Sequence, residues 1–154
     1  MSLQILPDMI KEIAEQLDCG MKCFYNLKTG ELEYFPDENN HSSFDAEESP
    51  WKEIKDKIDE EPDDYLMFEG MDSHESFRVM ENFISEIPLQ IIQVKFEVAI
   101  QRKKPFQQFK YLLLDFPDLR ENWFAYKAQS LIDYVKEQVD VYNFGKEDED
   151  ETND

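Results

Sequence analysis

Pro88, Pro105 and Pro117 cut the second half of the chain into helix-length segments, and this punctuation constrains the fold more than any other feature. Proline lacks a backbone N–H and its ring clashes with the preceding turn, so it opens helices and ends whatever comes before it. Between the breaks, apolar residues recur at helical spacing. The segment starting at Ser73, read as its N-cap, presents Phe77, Met80, Phe83, Ile84 and Ile87. The segment opened by Pro105 presents Phe106, Phe109, Leu113 and Phe116, all expected to point inward. A last long helix, from Asp118 to Tyr142, has a core face of Phe124, Ala128, Leu131, Val135, Val139 and Tyr142. The segment 89–103 differs from these. Gln90, Gln93, Glu97 and Gln101 make one narrow polar stripe on an otherwise apolar cylinder. That pattern predicts a helix buried on most sides, the spine of the domain.

The first half carries a different period. Pro7 opens a helix over 7–18 on Met9, Ile10, Ile13 and Leu17, and Gly20 suits a left-handed stop. Lys22–Leu27 and Glu31–Phe35 flank a short Gly-containing turn and predict a hairpin. A two-stranded hairpin is marginal in water, and Tyr65–Glu69 is the natural third strand. Between them, residues 37–64 carry a net charge of −9. Asn39, Asn40, Ser42 and Ser43 mark a loop there, and Ser49 and Pro50 start a helix bearing Trp51, Ile54 and Ile58 that Pro62 ends. The expected fold class is α+β: a small antiparallel three-stranded sheet packed on a mostly C-terminal bundle of about five or six helices. The sheet is expected to pack through Cys23, Tyr25 and Tyr34. Residues 1–145 read as a single globular domain, and 146–154, an acidic run without apolar residues, as a disordered tail.

Charge narrows the function. With 16 Lys+Arg against 36 Asp+Glu, the net charge is −20. Such a chain repels phosphate backbones and anionic lipid, so neither nucleic acid nor membrane is an expected partner. Met1–Leu6 is too short for a signal-peptide core, and no run approaches the ~20 apolar residues that cross a bilayer. Two cysteines are too few for a secreted disulfide scaffold, which points to the cytoplasm.

Motifs for chemistry are sparse. Cys19 and Cys23 with His41 and His74 fit no zinc spacing, and the acidic run Asp37–Asn40 lacks the glycine of a calcium loop. His41 in a polar loop and His74 in a first helical turn read as solvated. No nucleophile elbow, phosphate loop or dinucleotide turn is present, so no catalytic residue, metal or cofactor is assigned. One patch opposes the acidic trend: Arg102, Lys103 and Lys104 with Lys110, beside Phe106 and Phe109 and followed by Trp123. Such a surface could hold an anion or an acidic peptide, or it could simply complement a helix C-terminus and pair with acidic neighbours.

Several aromatic spacings carry a resemblance. Phe77-x-x-Met80-x-x-Phe83, Pro105-Phe106-x-x-Phe109-Lys110 and Arg120-Glu121-x-Trp123-Phe124 resemble the bacterial uncharacterised protein family zero-one-five-eight. Tyr25-Asn26-x-x-Thr29-Gly30-Glu31 is similar to that family's early hairpin, and Tyr65 to the start of its third strand. The resemblance covers most of residues 20–140 and is strongest over 77–126. It implies a bacterial, cytoplasmic protein and brings no activity with it. The family often has basic residues where Gln107 and Gln108 stand here, while Lys110 and Trp123 match. The binding candidates are therefore Lys110, Trp123, Arg102 and Lys104. The function expected is a non-enzymatic protein-binding or adaptor domain, monomeric or homodimeric, meeting its partner through an acidic face or the Lys110–Trp123 region. The alternatives are a carboxylate-based enzyme and an acidic decoy for nucleic-acid-binding proteins.

Overall fold

A computed structural model describes residues 2–37 and 51–152, with side chains to residue 146. His41, the Asn39–Ser43 loop, most of the Asp37–Asn40 run and the Ser49-Pro50 helix start lie outside the described residues. The fold is α+β: among the described residues there are a three-stranded antiparallel sheet and six α-helices, most of them C-terminal. The chain groups into two compact units, Met1–Gly70 with Leu131–Asp154, and Met71–Ser130.

In the first unit, α1 (Pro7–Asp18) buries Ile10, Ile13, Ala14 and Leu17. Gly20, at φ +83°, turns the chain into β1 (Met21–Asn26). The Asn26 side-chain oxygen then accepts the N–H groups of Lys28 and Thr29 at 2.8 and 3.1 Å, and Gly30 takes φ +77°. That Asx turn sends β2 (Leu32–Pro36) back along β1, with Cys23 opposite Tyr34. β3 (Tyr65–Phe68) pairs on the other side, Cys23 opposite Phe68, so β1 is central. A single-turn helix, Pro62–Asp64, leads into it from α2 (Lys52–Glu60).

Both sheet faces are covered. Cys23 and Phe68 are fully buried on the face toward α1, where the Cys23 thiol reaches the Ile13 carbonyl at 4.0 Å. Phe24 and Phe35 stack on the opposite face at 5.2 Å under Ile58 of α2, with Trp51, Ile54 and Tyr65 around them. Lys57 donates to Glu33 at 3.1 Å, and that hydrogen bond holds the ammonium pKa up. Of the three residues expected to seat the sheet, Cys23 does so against α1 and Tyr25 is half-buried, but Tyr34 on the outer strand β2 is exposed; Phe24, Phe35 and Phe68 complete the packing.

The second unit holds α3 (Ser73–Ser85), α4 (Gln90–Ile100), α5 (Pro105–Leu113) and the start of α6 (Pro117–Thr152). Asp72, not Ser73, caps α3. Its carboxylate accepts the Glu75 N–H at 2.7 Å, with negative charge at the positive end of the helix. Gln93 of α4 donates to the carbonyls of Ile84 and Ser85, closing the open end of α3. The core holds Met80, Phe83, Ile84, Ile87, Phe96, Ile100, Phe109, Leu113 and Trp123.

Four helical expectations change. α4 is not a buried spine: only Phe96, Ala99 and Ile100 are buried, and among the described residues the helix packs chiefly against α3 and α5. On α5, Phe106 is partly exposed, edge-on to Phe77 at 6.3 Å. On α6, Trp123 is buried in the second unit and Leu131, Val135 and Val139 in the first, while Phe124 and Ala128, on the same side of the helix as Leu131 and Val135, are exposed, the Arg120 guanidinium lying 4.9 Å from the Phe124 ring. The helix also continues past Tyr142 to Thr152, into the stretch read as a tail. Gly145 weakens a helix by about 1 kcal/mol, but no proline follows to end it.

Truncating Phe109 to Ala should lower stability by about 3–5 kcal/mol, whereas Phe124→Ala should change it by less than about 1 kcal/mol. Chemical denaturation of the two variants checks this, and equal losses would contradict the difference in burial between the two rings. Burial, then the Glu12 carboxylate, pushes the Cys23 thiol from 9.0 up to about 12, while Cys19 is exposed. The unfolded chain gives up the Cys23 proton from pH 9.0 and the folded one only near about 12, so this contribution is intact below pH 9.0 and declines above it. Cys23→Ala should flatten the alkaline decline in stability, and a thiol reagent at neutral pH should label Cys19 alone until the chain unfolds.

Candidate docking surface

α4 is the most apolar stretch of the chain, and it shows two different sides. Phe96, Ala99 and Ile100 face the core. Ile91, Val94 and Val98, at i, i+3 and i+7, form a stripe on the other side with exposures of 76%, 46% and 46%. Leu89, at the helix N-cap, adds another side chain 63% exposed. An amphipathic helix normally turns its outer side to water with charged and polar residues, and here Ile91, Val94 and Val98 share that side with the exposed Gln90, Lys95, Glu97 and Gln101.

Cations line the same side. Lys95 lies one turn after Ile91 at the border of the stripe, and Arg102 lies just past the end of α4. Arg102, Lys103 and Lys104 make the connection to α5, and Lys110 follows on α5. All five cations are exposed, and none forms an ion pair among the described residues. Pairing with acidic neighbours, the plainer reading of this patch, is absent there. Lys104 also takes a left-handed backbone, φ 55° and ψ 61°, a conformation that is strained for a residue with a Cβ.

The charge is unevenly divided. Residues 71–130 contain eight acids and eight Lys+Arg and are neutral, so the whole net charge of −20 belongs to the other unit. The apolar stripe and its cations thus occupy the one part of the chain that is not acidic.

Of the four residues singled out from sequence, Arg102 and Lys104 are exposed just past the end of α4, and Lys110 is exposed on α5. Trp123 is not exposed. Its indole is buried against Phe109 at 4.9 Å and Phe83 at 5.3 Å, so Lys110 and Trp123 do not share a surface. Beside it, burial and then Glu86 raise the Tyr126 phenol pKa. Sequence reasoning missed Ile91, Val94 and Val98 as surface residues. The available signal was the number of helices, since three neighbours joined by short turns cannot enclose a fourth. Among the described residues, no group of three or more His, Cys, Asp or Glu is placed to hold a metal ion. No described helix is long and apolar enough to cross a membrane.

Sheet and helices together define an α+β protein with an apolar, cation-lined helix face. The chain belongs to the Uncharacterised protein family (UPF0158), whose profile matches residues 4–151. A UPF0158 protein of Pseudomonas aeruginosa is 26% identical over 88 residues, covering 57% of this chain and 58% of that protein. The match thus spans less than two thirds of that relative's length. No solved structure matches the chain.

Replacing Lys104 with Gly should relieve the left-handed backbone and raise stability by roughly 0.5–1 kcal/mol. A lower unfolding midpoint for the variant would show that the lysine side chain compensates for the strain.

Proposed function

We propose that this chain is a cytoplasmic, non-enzymatic protein-binding domain whose partner docks on the outer side of α4. The observation that carries the reading is the aliphatic stripe of Ile91, Val94 and Val98 left in water. Fully burying a side chain of this kind yields about 1.5–3 kcal/mol, so covering the stripe would supply a useful share of a binding energy. Contiguous exposed apolar surface of this sort is where soluble proteins meet partners. Charge supports a protein over a polyanion. A duplex or an anionic bilayer is an extended negative surface and would repel the unit that carries −20, whereas a small docking element need only meet the neutral unit. The cation-lined face replaces the acidic face as the preferred contact, because solubility alone accounts for the acids and does not account for the stripe.

Site-specific photocrosslinking in cells tests this. A photoreactive residue at Val94 should give a discrete protein adduct, and the same residue at exposed Glu81 should give none. Ile91→Ser together with Val98→Ser should abolish the adduct while leaving the thermal midpoint nearly unchanged, since both side chains are already exposed. No adduct at Val94, or one that survives the double substitution, would end the reading.

A further inference from the structure

We infer that the segment docking on α4 is an amphipathic helix whose apolar stripe is bordered by Asp or Glu. This rests on the reading of α4 as the docking face and adds the partner's chemistry to it. The shape argument is local. A single row of side chains at i, i+3 and i+7 on one helix is a ridge, and ridges pack into the grooves of another helix with a matching row. The charge argument fixes the sign. Lys95 borders the stripe one turn after Ile91, Arg102, Lys103 and Lys104 follow just past the helix end, and none of these has an ion-pair partner among the described residues. A covering helix without acids would leave these cations against apolar surface with no counter-charge, whereas acids flanking its stripe would meet them.

The same residues argue against a second copy of this chain. Lys95 stands midway along Gln90–Ile100, so antiparallel pairing of two α4 helices sets Lys95 against its own image, and parallel pairing does the same all along the stripe.

Two synthetic helical peptides test the inference on the whole chain. Both have leucine at heptad positions a and d. One carries glutamate at e and g, the other lysine. Titration calorimetry should show the glutamate peptide binding about tenfold or more tighter than the lysine peptide, with amide shifts in an NMR titration centred on 90–102. In the Lys95→Glu, Arg102→Glu variant the order should invert, with an unchanged thermal midpoint showing that the fold is intact. Equal binding of both peptides, or preference for lysine, overturns the acidic partner while α4 remains the docking face. If neither peptide binds although the Val94 crosslink persists, the helical acidic partner is wrong and the docking reading stands. Concentration-dependent dimerisation that is lost in Val94→Asp would replace the inference with a second copy.

Discussion

Phe109 ties the second unit together. Its ring meets Phe83 from α3 at 6.3 Å, Phe96 from α4 at 5.5 Å and Trp123 from α6 at 4.9 Å, and it is itself the inward residue of α5. Each of the four helices gives one ring to this contact, and the arrangements are edge-on, the favourable geometry for aromatic quadrupoles. Everything else about the unit follows from where these rings point. Phe96 turns inward to reach Phe109, and with helical geometry that leaves Ile91, Val94 and Val98 on the far side of α4. The exposed stripe is thus a consequence of the aromatic centre and the small number of helices around it.

The other unit uses a different solution. Its central strand is buried on both faces, toward α1 through Cys23 and toward α2 through Phe24. The C-terminal part of α6 adds polar fastening. The Gln138 amide both donates to the Glu69 carbonyl and accepts the Glu69 N–H at 3.4 Å, next to the end of β3. The Asn143 amide does the same for Leu3, at 2.9 and 2.7 Å. Each amide mimics a neighbouring strand and satisfies a backbone segment that has no ladder partner at that point.

Much of this was legible in the residues. The three prolines placed the helix starts, Gly20 and Gly30 marked the two positive-φ turns, and the hairpin and third strand fell where alternation put them. What was not legible depended on which surfaces meet. Helical spacing shows that Phe124 and Trp123 lie about 100° apart but not which of them faces inward, and the structure chose Trp123. Composition likewise made α4 apolar without saying whether enough helices exist to enclose it. The candidate site was half visible: Arg102, Lys104 and Lys110 stood out by charge, while their aliphatic neighbours were hidden by the assumption that apolar means buried.

The two amide fastenings leave α6 open to chemical ageing. Hydrolysis of the Asn143 side chain to a carboxylate would replace the NH₂ group that faces the Leu3 carbonyl with a second acceptor, setting two oxygens against each other where a bond had been. The same change at Gln138 would release Glu69. Either event adds a negative charge to the unit that already carries the whole excess, so an old molecule would loosen at the edge of its sheet and at its amino terminus before its aromatic centre changed.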